Sequence, residues 1–490
     1  MSMGEIDAWV DAMVAPLAAG VSALIFAEIK VFGVGFPLVV LWLVAAGVFF
    51  TFYLRGISIF GFRHAVSLVL GREDRDAKHG EVSHFQALST ALSGTVGIGN
   101  IAGVAVAIGL GGPGAAFWLA VAGFLGMSTK FAECTLGVMY RRENPDGSVS
   151  GGPMYYLERG LAESGRARLG RALGIFYAVG IVIGCMGIGN MFQVNQAFSQ
   201  FVSVTGGAES WFANKGWLFG LGMAALVGAV IVGGIRSIAR VTQILVPVMA
   251  ILYLGTGLIV IGFNAEALPW AIREIFVQAF TGEAAAGGAL GALIIGFQRA
   301  VFSNEAGIGS AAIAHSAVRT DRPTTEGHVA LLEPFIDTLV ICMVTALVII
   351  TTGYFEPDFA AGRDGIAMTS AAFGRTFPFF PNLLAVAAIM FAFSTMLAWS
   401  YYGLKGFTYL VGERDLPATG FKVVFCLFIV LGAMLQLTSI LDFSDAMVFV
   451  ICVPNILGLY FLGPRLRREM AGYVADRARD RAQVTERGEV

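Results

Sequence analysis

Eleven stretches of this chain, each about twenty residues long, are built almost wholly from apolar residues. They are 36–55, 86–110, 114–139, 172–203, 215–234, 240–262, 288–316, 329–352, 382–411, 420–440 and 444–463. Inside hydrocarbon a segment of that length satisfies its own N–H and C=O groups only as a helix. The expected fold is therefore all-α and polytopic, with about 11 transmembrane helices. Composition agrees: 13% of residues are charged, about half the share of a soluble domain. The net charge of −2 leaves no basic face for nucleic acid.

The remaining pieces are small. Residues 8–28 are mildly apolar but interrupted by Asp11, Pro16 and Gly20, and read as an interfacial or short helix. The opening MSMGEIDAWVDAM is acidic, unlike a secretory signal. Cys134, Cys185, Cys342, Cys426 and Cys452 all lie in apolar stretches without a CxxC pair. They read as small buried apolar residues.

Charge orients the spans. Arg55, Arg63, Arg72, Arg75 and Lys78 fill one loop, and Arg141, Arg142, Arg159, Arg166, Arg168 and Arg171 fill another. Arg236 and Arg240, Arg319 and Arg322, Arg414 and Lys422, and seven arginines in the tail continue the series. The alternate loops hold only Lys215, Arg273, Arg363 and Arg375. Basic loops stay in the cytoplasm. With eleven spans, the amino terminus is expected outside and the carboxyl tail inside.

GIGNIAG (97–103) and GIGSAAI (307–313) put glycine clusters inside two apolar spans. Setting the first span aside leaves ten, and each cluster lies in the first span of a set of five. An odd number of spans per half inverts the second half relative to the first. The expected organisation is thus 1–85 with one extra span, repeats over 86–262 and 263–463, and a charged tail over 464–490. Matched broken helices in a five-plus-five inverted repeat point to a transport site at mid-membrane. One cluster alone fits close helix packing through small residues; two at corresponding positions favour a site. A half-helix that begins at a break offers N–H groups to a carboxylate, and one that ends there offers carbonyls to a cation.

Five stretches complete the picture: ALSGTVGIGNIAGVAVAIGLGGPGAAFW (91–118), GGPMYYLERG (151–160), GNMFQVNQ (189–196), FSNEAGIGSAAIAH (302–315) and TMLAWSYYG (395–403). In these the chain resembles the alanine/glycine:cation symporter family, whose fold is the inverted repeat of sodium-coupled amino-acid transporters. The resemblance implies a sodium-driven importer of small neutral amino acids, alanine and glycine, in the inner (plasma) membrane. Sodium is the implied coupling ion, with no organic cofactor and no catalysed reaction. A proton-driven transporter is the nearest alternative; an ion channel would need a symmetric pore, and no enzyme motif is present.

The resemblance also assigns roles. Gly97, Gly99 and Asn100 at the first break, and Ser303 and Gly307 at the second, are the implied substrate contacts. Gln193 is a natural partner for the substrate or an interhelical hydrogen bond, and Gln196 can hold either role instead. Ser93 and Val96 fall where related folds offer oxygens to sodium, joined by the hydroxyls of Ser394 and Thr395. Trp399, one turn after Thr395, is expected to bound the pocket. Among the charges in apolar surroundings, Lys130 and Glu133 are spaced for a local ion pair, and Glu333 and Asp337 start a span near the cytoplasmic face, where water can reach them. Glu305 has three roles open: capping a half-helix, pairing with Arg299, or tuning the cation site. The 141–160 loop reads as a solvated connector, with a gating role open to it.

Overall fold

The computed structural model describes residues 15–16, 19–31, 34–71, 79–281, 288–355, 365–435 and 438–486. Residues 8–14 and 17–18, with Arg72, Arg75, Lys78, Arg363 and Arg487, lie outside them. Within the described residues the apolar stretches are mainly helical, with 86–110 and 288–316 each interrupted near the glycine cluster.

A short hairpin, β1 (Glu28–Val31) and β2 (Val34–Pro37), leads into α1 (Leu38–Tyr53). The first broken helix follows as α2 (His84–Thr95) and α3 (Ala102–Gly111). α4 (Gly114–Met139) runs to a second hairpin, β3 (Arg142–Glu143) and β4 (Val149–Ser150), and to α5 (Pro153–Glu163). α6 (Ala167–Met186), a π-helical turn at Gly187–Met191 and α7 (Phe192–Val204) form one long span. α8 (Gly216–Ile231) and α9 (Gly234–Phe263) follow. After α10 (Leu268–Phe280) comes the second broken helix, α11 (Gly288–Asn304) and α12 (Ala311–His315). α13 (Pro323–Ala330), a π-helical stretch at Phe335–Cys342 and α14 (Met343–Thr351) form the next span. α15 (Gly365–Thr376), α16 (Phe380–Val411), α17 (Asp415–Met434) and α18 (Thr438–Glu486) close the chain. Among the described residues seven helices are long and apolar enough to cross a membrane, or eight with the bent pair α2–α3. α1 and α8 are shorter apolar helices, and the break divides α11 from α12.

Local sequence sets the ends of these elements. Ser83 opens α2 with a capping box: its hydroxyl accepts from Gln86 N at 3.3 Å, and Gln86 Oε1 accepts from Ser83 N at 3.0 Å. These bonds satisfy donors that a helix start otherwise leaves orphaned. Gly327 lets α13 lie directly on α4, since a Cβ there would sit 2.0 Å from Thr135 Oγ1.

The basic loops meet at one end of the molecule. Arg141 donates to the carbonyls of Ser316 (3.1 Å), Val318 (2.6 Å), His79 (3.0 Å) and Thr320 (3.0 Å). Arg236 pairs with Glu81 at 3.4 Å, and Arg142 with Glu413 at 3.8 Å. Five loops that charge alternation assigns to one side are therefore neighbours in space. Burial lowers the pKa of the Arg141 guanidinium. On the exposed hairpin tip, Ser148 donates from Oγ and N to Asp146 Oδ1 and holds that carboxyl below its ordinary value.

Three expectations change. The 141–160 stretch is a solvated connector only at its hairpin, where Glu143 and Pro145 to Gly147 are exposed; Pro153 to Leu157 are buried, and Pro153 packs against Gly309 of the second break. The apolar residues of that buried part fall on one side of a helix, so it packs instead of crossing solvent. Lys130 does not depend on a pair with Glu133; its ammonium donates to Glu333 at 2.9 Å, with both side chains fully enclosed. Glu333 and Asp337 are likewise enclosed by protein, because the span that carries them is packed against α4 and both breaks.

The Lys130–Glu333 pair ties α4 to the span after the second break. Removing one partner strands a buried charge, which costs about 3–5 kcal/mol. Lys130→Met should lower thermal stability on that scale in detergent, and Lys130→Met with Glu333→Leu should recover most of it. A double variant no better than the single one would refute the coupling.

Candidate functional site

At the first break, α2 ends on Val96, Gly97 is extended, and Ile98–Asn100 make one 3₁₀ turn before α3. The two halves meet at 60°. Side chains take the backbone groups set free. Asn100 Oδ1 accepts from Gly97 N at 2.9 Å, and Gln193 Oε1 accepts from Ile98 N at 3.2 Å. Gln193 also donates to Ile188 O at 3.0 Å, across the π-helical turn. Gln196 turns away toward Asn195, so Gln193 is the glutamine that reaches the break.

At the second break the chain leaves α11 through Glu305 at φ +56°, Gly307 at +93° and Gly309 at +85°. Glycine adopts this region freely; for glutamate it costs on the order of 1–3 kcal/mol. Glu133 Oε1 accepts from Gly307 N at 2.9 Å, and Asn455 Nδ2 donates to Gly307 O at 2.8 Å and Glu133 Oε1 at 2.7 Å. The Glu305 carboxylate accepts from Ser310 Oγ and from Trp399 Nε1, the latter at 3.1 Å. Both partners are side chains, and α12 starts after Ser310 without a side-chain cap bond, so these contacts tie the second break to α16 and do not cap a half-helix.

The two breaks are joined. Asn100 Nδ2 donates to Ser303 Oγ at 3.0 Å and to Asp337 Oδ1 at 2.5 Å. Ser303 and Thr338 donate to Asp337 Oδ2 at 2.7 and 2.9 Å. Thr345 Oγ1 donates to Asn100 O at 2.9 Å. Asp337 is the residue that sequence reasoning missed; its signal was a carboxylate four residues after Glu333 in an apolar run.

Around the first break three expected residues converge. A Cβ on Gly97 would lie 2.7 Å from Thr395 Oγ1 and 3.2 Å from Gln193 Oε1. Thr395 Oγ1 is buried there without a hydrogen-bond partner. Ser93 and Ser394 instead donate back to their own turns, to Thr90 O (2.7 Å) and Phe391 O (3.0 Å), the usual habit of helical hydroxyls. Their oxygens keep lone pairs for an ion. Trp399 is buried, donates also to Gly94 O at 3.3 Å, and packs so closely on Gly189 that a Cβ there would lie 2.2 Å from the indole. Gly99 faces Phe302. Gly307 is placed apart from this group: Glu133 and Asn455 hold its peptide, and its Cα faces Leu43 and Ile456.

Because Asn100 serves both breaks, Asn100→Ala should destabilise the protein by about 1–3 kcal/mol, the cost of orphaned buried donors and acceptors. Asn100→Asp, facing Asp337, should be worse, and adding Asp337→Asn should restore most of the loss in thermal unfolding. Equal stability of all three variants would refute the link.

The sodium:alanine symporter family model matches residues 21–487. The sodium/alanine symporter AgcS of Methanococcus maripaludis is 38% identical over 427 residues, covering 87% of this chain and 92% of that protein. A probable sodium/glutamine symporter of Bacillus subtilis, GlnT, is 32% identical over 428 residues, covering 87% and 85%. The crystal structure of MhsT in complex with L-phenylalanine superposes with a TM-score of 0.55 at 14% identity, covering 81% of this chain and 99% of that one. That likeness is one of fold, the inverted repeat with two broken helices. The chain belongs to the sodium:alanine symporter family and is a multi-pass membrane transporter for cation-coupled amino-acid symport, not an enzyme.

Proposed function

We propose that this protein is a sodium-driven importer of small neutral amino acids, alanine and glycine, which works by alternating access. The observation that carries the reading is the orphaned Thr395 hydroxyl beside the released backbone at Gly97, with Gln193 occupying the Ile98 N–H. A substrate carboxylate that displaces Gln193 gains the N–H of a helix start. On the other side of the break, the Val96 carbonyl with the hydroxyls of Ser93, Ser394 and Thr395 offers neutral oxygens to sodium. Such a set of ligands binds a monovalent ion weakly enough to release it. Substrate and ion then order the same segment, so each strengthens the other's binding by the same factor. Asn100 and Ser303 support this floor from behind, bonded to each other and to Asp337.

Trp399 closes the pocket against larger side chains. Among the relatives, one is named for alanine and another, as a probable symporter, for glutamine. The excess of arginine and lysine in the loops gathered at one end supports a plasma-membrane protein with its carboxyl tail inside and its amino terminus outside.

Uptake of labelled alanine and glycine into proteoliposomes under sodium, potassium or proton gradients tests the reading. A sodium gradient should drive uptake; uptake driven equally well without sodium would overturn it. Thr395→Ala should raise the sodium concentration for half-maximal uptake by about tenfold, or ~1.4 kcal/mol, with little change in competition among amino acids. An unchanged sodium dependence would remove Thr395 from the ion site. Trp399→Leu should narrow the preference for alanine over valine by about tenfold, and an unchanged ranking would show that Trp399 only packs.

A further inference from the structure

The second break keeps a glutamate in a backbone conformation where glycine is the inexpensive choice. Glu305 sits at φ +56° and is buried, and its two carboxylate oxygens have separate duties. Oε2 accepts from Ser310 Oγ, five residues on, which pins the carboxylate to its own break. Oε1 accepts from Trp399 Nε1 at 3.1 Å, reaching across to α16. The indole N–H is shared with Gly94 O of α2 at 3.3 Å, and the ring is pressed onto Gly189 of the π-helical turn. Trp399 therefore touches three elements, but its one charged partner comes from the unwound strand of the second break. The χ2 torsion of an aromatic ring has a broad well, so small tips of the indole cost little torsional energy. A hydrogen bond from its only polar atom to a fixed carboxylate resists them strongly.

We infer that Glu305 is the positioning residue for Trp399, and that substrate-size selectivity is set by this carboxylate–indole bond as well as by the bulk of the ring. The inference rests on the reading of Trp399 as the pocket boundary. Glu305 touches neither substrate nor ion in this role. It fixes the angle of the ring that does, and it links that angle to the shape of the second break. If the break shifts during transport, the ring shifts with it.

The experiment measures uptake of labelled alanine by the full chain in proteoliposomes, with unlabelled alanine, serine, valine and leucine as competitors. Glu305→Gln keeps an oxygen that accepts from the indole and should retain the alanine-over-valine preference. Glu305→Ala removes the acceptor and should narrow that preference about tenfold, the scale of losing a hydrogen bond to a charged group. Glu305→Gly should do the same while relaxing the backbone, and it serves if the alanine variant folds poorly. Trp399→Phe lacks the N–H, so adding Glu305→Gly to it should change the preference no further. The inference fails if Glu305→Gly slows all substrates equally with the ranking intact, since the residue then only shapes the break. It fails also if the shift persists in the Trp399→Phe background. A Trp399→Leu variant with unchanged ranking would sink the pocket boundary itself, and this inference with it. Altered ranking for Trp399→Leu but not for Glu305→Gly would sink the inference alone.

Discussion

Everything in this protein follows from the need to satisfy backbone N–H and C=O groups where water is scarce. Two helices are interrupted inside the membrane fold, and each interruption releases groups that an unbroken helix keeps for itself. The chain answers with side chains. Asn100 and Gln193 hold the first break, and Glu133 and Asn455 hold the second. These four come from four different parts of the sequence, so the breaks also fasten the bundle around them. The same polar groups that make the interruptions tolerable give the site its chemistry.

The two breaks differ in electrostatic character. The first is held by amides and hydroxyls and meets one carboxylate, Asp337, through Asn100. The second is held by carboxylates: Glu133, Glu305 and, through Ser303, Asp337. Lys130 and Glu333 lie behind it as a fully enclosed pair.

Much of this could be read in the sequence, for a physical reason. Helical spans and glycine clusters are local signals, so the spans and the two breaks were accessible from spacing, whereas the roles of Gly97 and Thr395 came from the family resemblance and their meeting with Gln193 appears only in the fold. Partners of buried charges are not local. Spacing alone suggested Lys130 with Glu133, but the real partner, Glu333, is about two hundred residues away. Asp337 looked like a hydrated carboxylate at a span entrance until Asn100 and Ser303 were seen to close around it. Gly307 belonged to the motif but faces Leu43 and Ile456, which no periodicity in one segment can reveal. The 141–160 stretch carried turn residues, and only packing shows that its helix begins against Gly309.

Arg141 has a mechanical consequence. One guanidinium receives four carbonyls from two stretches of chain, those around residues 79 and 316–320. These stretches are also zipped together, with Glu81 N donating to Ala317 O at 2.8 Å and Arg319 N to Val82 O at 2.7 Å. A planar fork cannot release its acceptors one by one without losing its alignment on the rest. Parting the two stretches therefore exposes several acceptors in a single event, and water must arrive at all of them together. The four bonds and the backbone zipper thus make one shared fastening between the two stretches at this end of the molecule.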